Sequence, residues 1–145
     1  MFINSWLPIF YGVKMDLLIQ IIPPLVLGSM LFFSIAIAPK IFTVLPSEEA
    51  GKFVRSIFPA YYMYNGLQYL ILTALMIFKG QTGNVFSLSC LILFFFIFSN
   101  YILMPQINKS RDVKNQKKFK FLHFLSVIIN FLIIISSIIL ILLLN

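Results

Sequence analysis

The sequence predicts an all-α membrane four-helix bundle built from two helical hairpins, and three observations carry that prediction. Residues 17–39, 56–78, 80–108 and 121–145 contain no Asp, Glu, Lys or Arg, and each run has at least 23 residues. About 20 helical residues cross a hydrocarbon core of roughly 30 Å. Hydrophobic residues make up 61% of the chain and charged residues 10%, against about 25% charged in a soluble domain. The basic residues are also segregated. Of the 11 Lys and Arg, only Lys14 and Lys79 fall outside two segments: Lys40, Lys52 and Arg55 in one, and Lys109, Arg111, Lys114, Lys117, Lys118 and Lys120 in the other. Short-loop Lys/Arg excess marks the cytoplasmic side. Segments 40–56 and 105–120 are therefore expected in the cytoplasm and both termini on the outer face of a cell inner (plasma) membrane. The chain reads as a single transmembrane domain, residues 1–145, with spans near 17–39, 57–78, 84–104 and 121–143.

The elements follow in order. Phe2 to Val13, apolar with Trp6 and Tyr11, suits a short interfacial segment. No cleavable signal peptide is expected, because Met1–Lys14 lacks a basic start and Pro39 follows Ala36-Ile37-Ala38. The first span holds Pro23-Pro24, which should kink it with the kink packed inward. Gly28-Ser29 offers a small-residue surface for close helix approach. Pro39 and Pro46 are expected to end helical geometry around a turn. Ser47 followed by Glu48 and Glu49 suits the start of a short surface helix to Arg55. Phe58-Pro59 then opens the second span. Gly80-Gln81-Thr82-Gly83 reads as a turn, so the third span starts at Asn84. Ser34 precedes Pro39 by five residues just as Asn100 precedes Pro105, which hints at parallel repeats.

Charge and cysteine usage exclude several classes. The net charge of +7 sits in two short loops and implies no nucleic-acid partner. Anionic lipid head groups at 109–120 are the expected partner of that charge. Cys90 is the sole cysteine, so neither an intrachain disulfide nor a cysteine metal cluster can form. A four-helix bundle encloses no wide pore, so any channel would need a homo-oligomer. No metal site and no cofactor are expected. A haem would need His123 with Met104 or a symmetry mate as its two axial ligands.

The candidate site comes from polar residues within the spans. His123, Ser126 and Asn130 lie at i, i+3 and i+7, within about 60° of one another on a helix of 3.6 residues per turn. Asn100, Asn65, Gln68 and Ser34 fall at similar depths on the other spans, all toward the basic side. The outer half carries only Thr73, Ser87, Ser89, Ser136 and Ser137 as mild polar exceptions. One polar cluster near the cytoplasm is expected. It acts either as interhelical hydrogen-bonding or as a pocket in which His123, the single group titrating near neutral pH, is the candidate catalytic or relay residue.

Ala38-Pro39, Phe42, Leu45-Pro46, Ala50-Gly51, Phe58-Pro59-x-Tyr61-Tyr62, Asn100 with Pro105, and His123-x-x-Ser126-x-x-x-Asn130 recur in this order. Together they resemble the transmembrane protein 205-like family, small four-span membrane proteins of unassigned biochemical role. Phe124 and Gln106 depart from it, standing where such proteins often carry Gly and a basic residue. The family is distantly similar to copper-resistance membrane domains and four-helix protoporphyrinogen oxidases. Those place a histidine in the first span and this chain has none, which argues against a simple transfer of oxidase or copper chemistry. The leading expectation is non-enzymatic binding or handling of a small hydrophobic or amphipathic ligand. The alternatives are an intramembrane redox enzyme acting on a porphyrin or quinone through His123, and a structural subunit of a membrane complex.

Overall fold

The computed structural model describes residues 7–144, with side chains from Lys14 onward. Residues 2–6 of the expected interfacial segment lie outside the described residues. From Leu7 the chain is already helical.

Four rods make the molecule. The first comprises α1 (Leu7–Phe32), a π-helical turn (Phe33–Ile37) and α2 (Ala38–Val44). The second is α3 (Ser47–Phe78). The third comprises α4 (Asn84–Phe98), a second π-helical turn (Ser99–Leu103) and α5 (Met104–Asp112), and the fourth is α6 (Gln116–Leu144). Each rod packs on the two beside it, so that α1 touches α3 and α6, and α4 touches α3 and α6. The result is an up-and-down four-helix arrangement with α3 and α6 on one diagonal.

Three rods, Lys14–Val44, Asn84–Asp112 and Gln116–Leu144, are long and apolar enough to cross a membrane. The second rod is not among them. Its 56–78 stretch is uncharged, but Tyr61, Tyr62, Tyr64, Asn65, Gln68 and Tyr69 make it the most polar of the four runs.

Pro39 does not end the first helix. An α-helical proline clashes with the carbonyl four residues back and donates no hydrogen bond. Here a wider turn takes up the misfit, with the Ala38 N–H donating to Phe33 O, five residues back. The same device precedes Pro105, where the Met104 N–H donates to Ser99 O. Both π-turns begin six residues before their proline, so the two hairpins repeat each other locally. The break instead falls at Leu45-Pro46, where Leu45 turns extended.

No separate surface helix forms over 48–55 either. Helix α3 runs unbroken from Ser47 through Pro59, with Glu48 and Glu49 in its first turn. Pro59 is exposed, so the Arg55 carbonyl it leaves without a donor need not be buried. The other two reversals share one closure. Gly80 (φ 65°) ends α3, with its N–H on Ile77 O and that of Gln81 on Met76 O, each 2.9 Å. Lys114 (φ 52°) ends α5 in the same pattern, its N–H on Arg111 O at 3.0 Å and Asn115 N–H on Ser110 O at 2.9 Å.

The core runs along the bundle axis. Val26, Met30, Tyr69, Leu72, Met76, Ile92, Phe96, Ile133 and Leu140 are fully buried. Pro23 is fully buried too, while Pro24 beside it is exposed and α1 runs through both. Gly28 does not serve close packing, for a Cβ there would meet nothing within 4 Å. The close approach is at Gly66, where a Cβ would lie 3.3 Å from that of Phe96. The outside is apolar as well, with Ile35 72%, Phe32 64% and Leu142 70% exposed. A water-soluble monomer does not leave that much hydrocarbon exposed. Ion pairs close both ends: Lys79 with Asp16 at one, and Arg55 with Asp112 at the other.

Candidate functional site

Helix α3 carries a polar stripe at four-residue spacing, Tyr61, Asn65, Tyr69 and Thr73, about 18 Å long. Each member bonds a different rod or crosses the diagonal. Tyr61 Oη donates to Asn130 Oδ1 on α6 at 3.3 Å, and Asn130 Nδ2 donates to Ser34 Oγ in the first π-turn at 3.4 Å. Ser29 Oγ on α1 donates to Asn65 Oδ1 at 2.6 Å, while Asn65 Nδ2 donates to Tyr61 O at 2.9 Å. Tyr69 Oη and Ser137 Oγ are 2.9 Å apart. Thr73 Oγ1 donates to Tyr69 O at 2.8 Å, so Ser89 Oγ, 2.8 Å away on α4, must be the donor of their shared bond. Phe33 rests on the Tyr61 ring at 4.7 Å. Buried polar groups need such partners where water is absent.

The predicted residues separate into distinct places. Ser34 and Asn130 are together and are joined by Tyr61. Asn65 is fully buried and tied to Ser29. Gln68 turns back on its own helix, its Nε2 donating to Tyr64 O at 3.3 Å. Its Oε1 is buried without a partner among the described residues, as is Ser99 Oγ in the second π-turn. Ser126 Oγ donates to His123 O at 2.7 Å. His123 is exposed, its ring stacked on Phe119 at 5.9 Å and 6°. Ser29 was expected only as a small-residue contact, Tyr61 only as part of a motif and Tyr69 not at all, although the i, i+4 recurrence along 61–73 was the available signal.

Asn100 stands apart from the stripe. It lines a groove of about 290 Å³ between α3 and α4, walled by Tyr62, Gly66, Leu67, Leu93 and Phe96 among others. Its side-chain amide is half-buried and makes no hydrogen bond among the described residues. The amide therefore has no partner among them for its hydrogen bonds on an otherwise largely apolar wall.

Residues 24–116 match the family described as "Domain of unknown function (DUF4149)". The chain belongs to this family. The DUF4149 match runs from Pro24 to Gln116, so it takes in both π-turns with Pro39 and Pro105, the whole α3 stripe and the Asn100 groove. It stops before His123, Ser126 and Asn130. An "Uncharacterized protein" of Aquifex aeolicus (strain VF5) is 36% identical over 84 residues, 57% of this chain. The aligned part covers 61% of that relative, so the chain spans about three-fifths of its length. No solved structure matches the chain.

Proposed function

We propose that this DUF4149 protein is an integral, four-span inner-membrane protein that holds a small hydrophobic or amphipathic ligand in the α3–α4 groove without transforming it. The observation that carries the reading is the unpaired Asn100 amide in an otherwise apolar groove. Hydrocarbon offers such an amide no partner. A ligand with an apolar body and one polar group would fill the groove and satisfy it. The first-loop and third-span motifs quoted above fall inside residues 24–116 and support kinship with the transmembrane protein 205-like proteins.

The test is native mass spectrometry with a visible absorption spectrum on protein purified in mild detergent. The wild type is expected to retain an amphiphile mass that Asn100→Leu loses without a change in thermal stability. An empty wild type, or equal retention by the variant, would sink the reading. A Soret band lost in His123→Ala would instead establish the redox alternative.

Orientation follows from the basic segments 40–56 and 105–120, placed in the cytoplasm with both termini outside. The Lys79–Asp16 pair at the other end supports this, since it leaves that face little net charge. A fluorescent reporter fused after Asn145 should stay dark and an alkaline phosphatase fusion should be active. The reverse pattern would invert the topology.

The α3 stripe favours a second reading, a structural subunit. Its polar groups are spent on one another and hold all four rods in register. In that case Asn100→Leu disturbs assembly with a partner and changes no bound mass.

A further inference from the structure

A second cavity opens on the basic face, independent of the groove. It measures about 310 Å³ and is lined by Phe42 of α2, Ser110 and Arg111 of α5, Asn115 of the following turn, and Gln116 and Phe119 of α6. No carboxylate lines it. Arg111 forms no ion pair among the described residues; Asp112 pairs with Arg55 and Glu48 with Lys52 at 2.7 Å, while Glu49 in the same first turn of α3 pairs with neither base and stays outside the lining.

Packing sets the position of Arg111. Its guanidinium lies over Gly51, where an added Cβ would fall 2.3 Å from Nη2. Nη2 makes one long bond, to Ser47 O at 3.4 Å. Most of its five donors therefore remain available. Asn115 is held as well, its Oδ1 accepting from the Lys118 N–H at 3.0 Å, which leaves its amide N–H₂ free to donate. Two phenyl rings flank this donor set.

A planar cation, amide donors and aromatic walls, with no carboxylate in the lining, suit a phosphate carried on an organic body. We propose that this cleft binds the phosphate headgroup of an anionic membrane amphiphile. Arg111 takes the phosphate oxygens, and Phe42 and Phe119 embrace the carbons beside it. The volume accommodates a headgroup and leaves the acyl chains in the bilayer. Lys109, Lys114, Lys117, Lys118 and Lys120 supply a diffuse attraction that salt screens. The cleft supplies the selective contact.

The experiment is native mass spectrometry of the full chain from detergent containing equal phosphatidylglycerol and phosphatidylcholine, at low and high salt. The wild type should prefer phosphatidylglycerol, and the preference should survive high salt. Arg111→Gln should cut it by about tenfold or more. Because Arg111 also seats against Gly51, Phe42→Glu provides an independent variant. Phe42 is 64% exposed, so the change places a carboxylate at the cleft with little burden on folding. It should remove the preference equally. The exposed pair Lys117→Gln/Lys118→Gln should keep it. The proposal is overturned if the wild type shows no preference, if both cleft variants keep it, or if the lysine pair alone abolishes it. Inorganic phosphate is the last arm: binding to lipid-free protein that displaces phosphatidylglycerol would make the ligand a soluble phosphate and overturn the membrane source.

Discussion

Tyr69→Ala is expected to destabilise the bundle by about 3–5 kcal/mol, the range for emptying an aromatic site in a packed core. Tyr69 is fully buried and its ring lies 5.8 Å from that of Phe96, itself fully buried. Truncation leaves a cavity where α3, α4 and α6 meet. Tyr69→Phe keeps the ring and loses only the bond to Ser137. Such interhelical hydrogen bonds are worth about 0.6 kcal/mol on average in a membrane, because the freed partner finds a backbone carbonyl on its own helix. Chemical denaturation in mild detergent, followed by circular dichroism, separates the two. Equal losses in Tyr69→Phe and Tyr69→Ala would mean that the hydroxyl network, not ring packing, holds the core.

That contrast bears on what the polar residues inside this protein do. Deletion of one stripe bond is cheap, yet four bonds in file along α3 fix the rotation of three partner rods at once. Apolar side chains slide past one another in lipid with little penalty. The hydrogen bonds of Tyr61, Asn65, Tyr69 and Thr73 do not, so they specify register more than they add stability.

The fold was largely legible in the sequence because membrane helices advertise themselves by missing charge. The uncharged runs became helical rods, the 80–83 turn fell where two glycines allow positive φ, and Asn84 opens α4 as expected. The repeated spacing before Pro39 and Pro105 was visible too. Its physical form was not, since proline normally argues for a helix end and a π-turn leaves no mark of its own in composition. Pro59 misled in the same way: whether a proline breaks a helix depends on whether the carbonyl it strands is exposed, and that is a tertiary fact. The candidate site was legible by residue type and blurred by direction. Depth along a helix can be counted, but which rod a side chain faces depends on packing. So His123 and Asn130, seven residues apart on one face, end with one exposed and the other half-buried and hydrogen-bonded to Tyr61 and Ser34. Tyrosine added to the difficulty, because it reads as an apolar ring until its hydroxyl is seen to find Ser137 or Asn130.

Gly66→Leu is expected to cost about 1–3 kcal/mol, the penalty of forcing volume into a well-packed contact. An added Cβ alone would stand 3.3 Å from the Cβ of Phe96, on a rod that cannot retreat without breaking the bond between Thr73 and Ser89. Leucine puts three more carbons into the same seam, and they project along the floor of the groove that Asn100 lines. The two consequences separate by substitution. Gly66→Ala strains the seam by one methyl and leaves most of the groove open, so it should lower stability while retaining bound ligand. Gly66→Leu should lower stability further and also empty the groove. Denaturation midpoints and retained ligand mass, measured on both variants, decide between the readings. If Gly66→Leu keeps the ligand while losing stability, the ligand lies elsewhere and Asn100 is an idle amide. If it loses the ligand while Gly66→Ala does not, the space between α3 and α4 is the binding site, and glycine is required there both for helix contact and for room.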